Sequence, residues 1–174
     1  MIARLVGSEM CIRDSISTTY ILETIKNKVK IINNPTSIRN ISEKLYSVKY
    51  QKFMPNTIFT QNIEEIKNFF KKNKYVIIKP IHSFGGNDIH LLKKFNSRFI
   101  QKLIKKHDHI MCQKYLPKIS IGDKRVFLIN GKICGAISRV PKKGSFLSNM
   151  SKGAIPKSIK SVSYTHLTLP TSYP

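Results

Sequence analysis

The stretch that decides the fold is residues 75–92, YVIIKPIHSFGGNDIHLL. The apolar residues 76–78 predict a buried strand that leads into Lys79, and residues 89–92 predict a second strand paired with the first. The loop between the two strands carries Gly85-Gly86. Glycines let backbone N–H groups approach phosphates closely, and a lysine adds a point charge, so this hairpin is typical of a phosphate-binding site. A plain tight hairpin with one exposed lysine is the alternative.

Helices and short strands alternate along the rest of the chain. Apolar residues at helical spacing predict helices over residues 18–29, 37–52, 62–72 and 97–106. The first would carry Tyr20, Ile21, Ile25 and Val29 on one face, and the second would be capped by Thr36 or Ser37. Extended segments are expected at residues 31–32, 54–59, 110–115, 126–129 and 133–137, with a hairpin turn at Asn130-Gly131. The pattern predicts an α+β fold.

Short motifs follow one another in a fixed order. They are Asn34-Pro35-Thr36-Ser37-Ile38-Arg39, Ser42-Glu43-Lys44-Leu45, Lys79-Pro80, Gly85-Gly86, Gln113-Lys114-Tyr115-Leu116-Pro117, Gly122-Asp123-Lys124-Arg125 and Arg139-Val140-Pro141. In this order, and at about these spacings, the sequence resembles the ATP-grasp carboxylate–amine ligases. More narrowly, it resembles the bacterial glutathione synthetases. The resemblance implies the ATP-grasp fold, with the end of an amino-terminal domain, an α+β nucleotide lid and the start of a central sheet domain.

The resemblance also implies an activity. Such a ligase joins γ-glutamylcysteine and glycine with ATP through an acyl-phosphate, and it uses Mg²⁺, with Mn²⁺ as an alternative metal. No nucleic-acid or membrane partner is implied, and a homo-oligomer stays open for the full-length protein. Another ATP-grasp ligase, of the ribosomal-protein glutamate ligase type, is the nearest rival. A basic RNA-binding module is the rival from a different class.

The ATP-binding residues that the resemblance implies are Lys44, Lys79, Gly85, Gly86, Gln113, Tyr115, Leu116 and Asp123. The two lysines would reach the phosphates or adenine, and the two glycines would cover the phosphates. Gln113, Tyr115 and Leu116 would hold adenine, while Asp123 would lie near the ribose. For Lys44, a solvated helix lysine is the alternative.

On the substrate side, the resemblance implies that Arg125 and Arg139 are the catalytic residues, since a planar bidentate donor suits an acyl-phosphate or a substrate carboxylate. A surface pair between Asp123 and Arg125 is the alternative. Asn149 and Gly153 would belong to a substrate loop over residues 140–155, although this loop departs from the family pattern at several positions. The family's metal ligands would fall beyond residue 161, so no metal ligand is expected in this chain and no activity is expected of it alone.

The two ends of the chain fit none of the motifs. A DNA sequence that encodes residues 9–15 has a reverse complement that encodes residues 162–167, so both ends are expected to derive from one inverted element. That element resembles the transposon adapter used to prepare sequencing libraries. We therefore expect residues 1–15 and 162–174 to be non-native. Residues 16–34 would end the amino-terminal substrate domain, residues 35–120 would form the nucleotide-binding subdomain, and residues 121–161 would begin the second ATP-grasp subdomain.

The formal charge of +22 favours a nucleic-acid partner at first sight. Lysine is spread through every segment, however, as an AT-rich genome would produce, and aromatic RNA-binding motifs are missing. We therefore favour a nucleotide site in a lysine-rich protein. The lysine pairs at residues 71–72, 105–106 and 142–143 are expected to be solvated.

Cys112 and Cys134 lie in apolar strand patterns and are expected to be buried small side chains rather than a disulfide or metal pair. Four histidines, His82, His90, His107 and His109, have no triad partner or metal spacing and are expected at surface or turn positions. No apolar run reaches the roughly 18 residues of a membrane span, and no signal peptide is expected from the pattern at the start of the sequence. These features predict a reducing, cytoplasmic location.

Overall fold

The computed structural model describes residues 2–4, 12–42, 44–83 and 85–159. The chain forms two compact units, Met1–Tyr115 and Leu116–Pro174. The predicted domain limits after residues 34, 120 and 161, and the non-native origin of both ends, stay predictions. Among the described residues, no helix combines the length and apolar character that crossing a membrane requires.

The first unit begins with a two-stranded parallel sheet, in which β1 (Ile2–Arg4) pairs with β2 (Lys30–Ile32). Helix α1 (Ile12–Ile25) connects them. Both its first and its last residue come earlier in the chain than those of the helix predicted over residues 18–29. Tyr20 and Ile21, expected on an apolar face, are 56% and 63% exposed. The Tyr20 ring instead lies 4.1 Å from the guanidinium carbon of Arg39, a cation–π contact that suits a half-exposed aromatic ring.

The single helix predicted over residues 37–52 is wrong. Helix α2 (Pro35–Asn40) ends early, and a separate 3₁₀ helix follows at Leu45–Phe53. The predicted caps are wrong too, because the Asn34 side chain accepts the Ser37 backbone N–H at 3.1 Å and Pro35 occupies the first turn. The Thr36 hydroxyl donates to Glu23 of α1 instead. Capping at Asn34, two residues before Thr36, shifts the helix start, and Ile41 leaves the helical conformation at φ −103°, ψ 88°.

A four-stranded antiparallel sheet forms the centre of the first unit. Its strands are β3 (Thr57–Thr60), β4 (Val76–Pro80), β5 (His90–Leu92) and β6 (Ile110–Lys114), in the order β3-β6-β4-β5. Helices α3 (Ile63–Asn73) and α4 (Ser97–His107) are capped by Asn62 and Asn96, whose side chains accept backbone N–H groups of the first turns. The predicted helices over residues 62–72 and 97–106, and the paired strands of the Lys79 hairpin, are confirmed.

One face of this sheet packs against α3 and α4. The residues buried there are Ile66, Val76, Ile78, Leu92, Ile100, Leu103, Ile110 and Cys112. Because side chains alternate along a strand, the residues next to them, including Lys79 and Gln113, lie on the other face. The opposite face carries the buried apolar side chains of Ile77 and Met111 beside the polar side chains of Lys79 and Gln113.

The second unit holds a three-stranded antiparallel sheet. After a 3₁₀ helix at Pro117–Ile121, strands β7 (Asp123–Ile129), β8 (Lys132–Val140) and β9 (Ile155–Ser158) pair in chain order. Asn130 and Gly131 both have positive φ, 50° and 75°, as the predicted two-residue hairpin turn requires. Strand β9, which contains a proline and pairs on one side, was not predicted.

Only one of the two cysteine predictions is confirmed. Cys112 is buried on β6, whereas Cys134 is exposed on β8. The register shifts between Phe127 and Leu128, whose partners are Gly135 and Ile133, so Cys134 is the extra residue of a bulge. The extra residue of a bulge shifts the alternation of the following side chains between the two faces of the sheet. A prediction from regular alternation therefore cannot locate a bulge. The paired lysines at residues 71–72, 105–106 and 142–143 are exposed, as predicted.

Candidate functional site

Lys79 lies on β4, on the sheet face away from the helices. It pairs in register with Met111, while Gln113 pairs with Ile77, so Lys79 and Gln113 are diagonal neighbours on one face. The Lys79 ammonium Nζ donates a hydrogen bond of 2.8 Å to the Gln113 carbonyl Oε1. The sheet thus holds two of the predicted ATP-binding residues, Lys79 and Gln113, in direct contact.

Thr57 extends this contact to a third strand. The Gln113 amide Nε2 donates to the Thr57 hydroxyl at 2.9 Å, and the two residues lie opposite each other on β6 and β3. Gln113 is therefore held at both ends, with its carbonyl towards the lysine and its amide towards the threonine. Thr57 was not predicted from the sequence. Strand alternation can predict the sheet face on which Thr57 lies, but it cannot predict which residue of a neighbouring strand Thr57 contacts.

Lys44 holds the chain just after β4. Its ammonium donates to the backbone carbonyl of Ile81 at 3.1 Å and to that of Ser83 at 2.6 Å. These acceptors lie 37 and 39 residues further along the chain. The alternative of a solvated helix lysine is wrong, since Lys44 precedes the 3₁₀ helix and its ammonium group donates hydrogen bonds to the loop carbonyls.

The predicted glycine loop turns as its residues require. Gly85 and Gly86 have φ of 64° and 80°, values that glycine adopts at no steric cost. Asp88 follows at φ 52° and accepts hydrogen bonds from Lys106 Nζ at 2.6 Å and His107 Nε2 at 3.0 Å. The Lys106 hydrogen bond, with that of His107, lowers the pKa of the Asp88 carboxyl, although partial burial opposes the shift.

Two of the four histidines do not fit the expectation of simple surface or turn positions. His107 bonds Asp88 at the end of α4, and its side chain is only 16% exposed. His90 packs its ring edge-on against Phe99, 5.0 Å between ring centres. The other two, His82 and His109, are exposed.

Tyr115 and Leu116 continue the chain from β6. The Tyr115 backbone N–H donates to the Tyr75 carbonyl at 3.0 Å. Leu116 is extended at φ −105°, ψ 107°, and about half exposed. The extended backbone predicted for these two residues is present at Leu116.

In the second unit, Asp123 and Arg139 lie directly opposite each other on β7 and β8. Arg139 Nε donates to Asp123 Oδ1 at 2.8 Å, and Arg139 Nη2 donates to Oδ2. This bidentate pair raises the pKa of the Arg139 guanidinium. The alternative pairing of Asp123 with Arg125 is wrong: strand register brings Asp123 to Arg139, and Arg125 is exposed opposite Ile137.

Gly122 makes this arrangement sterically feasible. At φ 106° and ψ 158° it adopts a conformation that is essentially restricted to glycine. An added Cβ would lie 2.8 Å from Ser138 Oγ and 2.9 Å from the Arg139 carbonyl oxygen. The Gly-Asp pair of the motif therefore brings the β7 backbone against β8 at the point where Asp123 meets Arg139.

The predicted substrate loop leaves β8 after Val140 and returns as β9 at Ile155. The Asn149 carbonyl accepts the Lys152 N–H at 2.9 Å and the Ala154 N–H at 3.3 Å. Gly153 is left-handed at φ 85° and closes the 3₁₀ turn Met150–Lys152. Both residues thus shape the turn through their backbones.

The site residues divide between the two units. The first holds Lys44, Lys79, Gly85, Gly86, Gln113 and Tyr115, and the second holds Leu116, Asp123, Arg125, Arg139, Asn149 and Gly153. Within the described ranges, no group of three or more His, Cys, Asp or Glu side chains could hold a metal ion. The roles of individual residues stay predictions.

Comparison with known proteins decides the family. The family described as prokaryotic glutathione synthetase, ATP-grasp domain, matches residues 43–169. The chain belongs to this family. The match runs past residue 161, the limit predicted for native sequence, and the origin of the residues beyond that limit stays a prediction.

Several relatives of this glutathione synthetase family are known. The glutathione synthetase of Bradyrhizobium diazoefficiens is 34% identical over 142 residues, which cover 79% of this chain and 45% of that protein. The glutathione synthetase of Buchnera aphidicola subsp. Acyrthosiphon pisum is 36% identical over 156 residues, covering 86% of this chain and 48% of that protein. The chain therefore spans about half the length of the curated relatives it matches.

Solved structures confirm the ATP-grasp fold. The ATP-grasp ligase PsnB, complexed with a phosphomimetic variant of its minimal precursor, Mg and ADP, superposes with a TM-score of 0.59 at 19% identity, covering 87% of this chain and 48% of that one. The D-cycloserine synthetase DcsG gives a TM-score of 0.56 at 14% identity, covering 74% of this chain and 48% of that one. At these identities the likeness concerns the fold alone.

Proposed function

We propose that this chain supplies the ATP-binding face and part of the substrate-binding sheet of a ligase that joins γ-glutamylcysteine to glycine. The observation that carries the proposal is the contact of Lys79, Gln113 and Thr57 across three strands, beside a glycine loop that Lys44 also holds. The family match and the relatives named glutathione synthetase favour this ligase over another ATP-grasp enzyme or an RNA-binding module.

The phosphates are the part of ATP that the first unit would bind. Lys79 is held by Gln113, so its charge is fixed in place before the nucleotide arrives. Lys44 uses two of its three N–H donors on carbonyls, which leaves one for a phosphate oxygen. The backbone N–H groups around Gly85 and Gly86 would cover the phosphates. Fixed donors of this kind stabilise the negative charge that spreads over the transferred phosphoryl group.

Adenine and ribose would be held by the residues at and after β6. Gln113, Tyr115 and the extended Leu116 are assigned to adenine, as the motif implies. Asp123 is assigned to the ribose. Each carboxylate oxygen can accept more than one hydrogen bond, so Asp123 can accept a ribose hydroxyl while it holds Arg139.

The chemistry would proceed in two steps. The carboxylate of γ-glutamylcysteine takes the γ-phosphoryl group of ATP and forms an acyl-phosphate with release of ADP. The glycine amine then attacks the acyl carbon, phosphate leaves, and the amine loses a proton. Arg125, exposed on β7, would contact an anionic oxygen of the acyl-phosphate or of the substrate carboxylate with its planar fork. Arg139 uses one Nε and one Nη2 donor on Asp123 and would present its remaining N–H donors to the same oxygens. Asn149 and Gly153 would shape the loop at the substrate.

Magnesium enters the proposal as the ion that neutralises ATP phosphates when bound, with manganese as an alternative. The described residues include no set of carboxylates that fits such an ion, so no residue of this chain is assigned to it. We further propose that the protein works in the cytoplasm, on small molecules rather than on nucleic acid, with its oligomeric state open.

ATP binding tests the proposal directly. Substituting Lys79→Ala should weaken ATP binding by about 10–100-fold, because a charge-assisted hydrogen bond contributes about 1.5–3 kcal/mol. Isothermal titration of the chain with ATP measures the effect. Lys71→Ala is the matched control, since it removes the same charge from an exposed position on α3. An equal loss in both variants would point to non-specific charge attraction rather than a site.

The RNA-binding alternative is tested with the same protein. An RNA-binding module should bind RNA with a steep salt dependence and should be indifferent to ATP. The ligase itself is tested by phosphate release from ATP in the protein that contains this chain. We expect release only when γ-glutamylcysteine and glycine are both present, and release that depends on another carboxylate instead would assign the protein to a different ATP-grasp ligase.

A further inference from the structure

Asp88 stands at the end of the glycine loop, immediately before the residues that lead into β5. It has a positive φ of 52°, which is uncommon for a residue with a side chain, although aspartate tolerates it better than most residues. The loop therefore keeps a backbone conformation at Asp88 that its local sequence does not strongly favour. Some other contact has to hold it there.

That contact comes from the last turn of α4. Lys106 Nζ donates to Asp88 Oδ2 at 2.6 Å, and His107 Nε2 donates to the same oxygen at 3.0 Å. Both donors are close to 20 residues further along the chain. Helix α4 is fixed to the sheet by the buried side chains of Ile100 and Leu103, so the donors are attached to the hydrophobic core.

The opposite end of the loop is also held from a distance. Lys44 binds the carbonyls of Ile81 and Ser83, at the point where the chain leaves β4. The glycines at 85 and 86 thus lie between two attachment points, Lys44 at the entry and Asp88 at the exit. Without such attachments, two adjacent glycines would give the loop high conformational freedom.

We propose that Asp88, bound by Lys106 and His107, is a positioning residue that holds the glycine loop in the conformation that receives the ATP phosphates. The inference rests on the proposed function, because it assigns the loop to ATP. Asp88 itself would not contact the nucleotide. Its carboxylate is turned to α4, and a negative charge directed at the phosphates would repel them.

The size of the effect follows from the fraction of protein whose loop is ready to bind. The apparent dissociation constant for ATP equals the intrinsic constant divided by that fraction. If a substitution lowers the binding-competent fraction to about one tenth, the apparent constant rises about tenfold. The Lys106 contact should contribute less than the His107 contact, because the Lys106 side chain is 61% exposed and that of His107 is 16% exposed.

Asp88→Gly is the decisive variant. Glycine adopts the positive φ at no steric cost and removes the carboxylate, so the relief of backbone strain offsets the conformational entropy that glycine adds. We expect the thermal midpoint to stay equal or rise while the dissociation constant for ATP increases about tenfold. Lys105→Ala, one position before Lys106 and also exposed, is the matched control and should leave ATP binding unchanged.

His107 provides a second, independent test. His107→Ala should weaken ATP binding several-fold, and His107→Gln, which keeps an N–H donor at a similar distance, should recover most of it. Hydrogen exchange of the loop amides without nucleotide should become faster in His107→Ala. In His107→Gln the exchange rate should be close to that of the unsubstituted chain. Unchanged ATP affinity and unchanged loop exchange in Asp88→Gly and His107→Ala would overturn this inference. Absence of ATP binding by the unsubstituted chain would instead overturn the proposed function.

Discussion

Gly122 provides the sharpest test of the sheet geometry around Asp123. At φ 106° and ψ 158°, a residue with a side chain is expected to lose about 1–3 kcal/mol. The added Cβ would also lie 2.9 Å from the Arg139 carbonyl oxygen, a backbone atom that cannot rotate away. Overpacking of this kind costs about 1–3 kcal/mol. We therefore expect Gly122→Ala to destabilise the second unit by about 2–6 kcal/mol.

Urea unfolding followed by circular dichroism measures this loss, since the chain contains no tryptophan to serve as a fluorescent probe. A loss of about 3 kcal/mol should lower the midpoint by about 1–3 M. Hydrogen exchange of the β7 and β8 amides would locate it in this sheet.

Two other glycines separate the causes. Gly131→Ala meets no atom within 4 Å but keeps a φ of 75°, so it should show the strain alone, about 1–2 kcal/mol. For Gly135→Ala, no atom lies within 4 Å of the added Cβ and the backbone has no positive φ. This substitution should be neutral or stabilising, because glycine weakens a strand interior. If Gly122→Ala were no worse than Gly131→Ala, the close approach of the two backbones at this point would be refuted.

Three further predictions concern other parts of the chain. The Arg39 hydrogen bond, followed by that of Thr36, lowers the pKa of Glu23, so this pair stabilises the fold above the ordinary carboxyl pKa of about 4.3 and loses its effect as pH falls through the lowered value. The urea midpoints of the unsubstituted chain and Arg39→Ala should therefore differ at pH 7 and converge in acid; a constant difference would contradict the pairing. Burial raises the pKa of the Cys112 thiol to about 12, so iodoacetamide should label Cys134 in the native chain and Cys112 only after unfolding, as peptide mapping would show. In the protein that contains this chain, Arg139→Lys should lower turnover by up to about 10²-fold with a smaller effect on ATP binding, whereas equal losses would argue against a role at the substrate.

Much of the candidate site could be read from the sequence because its signals are local. Gly85 and Gly86 had to turn with positive φ, and Asn130-Gly131 had to form a hairpin. Lys79 directly follows the apolar run of residues 76–78, and it is the one residue of β4 that is only partly buried. The predicted start of the helix over residues 37–52 was wrong for an equally local reason, since Asn34 and not Thr36 or Ser37 caps the first turn.

The sequence by itself determined the order of the motifs, and hence the family and the ATP-grasp fold, because that information is linear along the chain. Tertiary structure alone decided the partners of the charged groups. Lys44 meets carbonyls 37 and 39 residues away, Asp88 meets the end of α4, and Asp123 meets Arg139 rather than Arg125. Each pairing depends on strand register or on how a helix packs, and a lysine-rich sequence offers many cations for nine acidic residues. Charge attraction has little dependence on direction, so only the packed core selects which cation arrives within hydrogen-bonding distance.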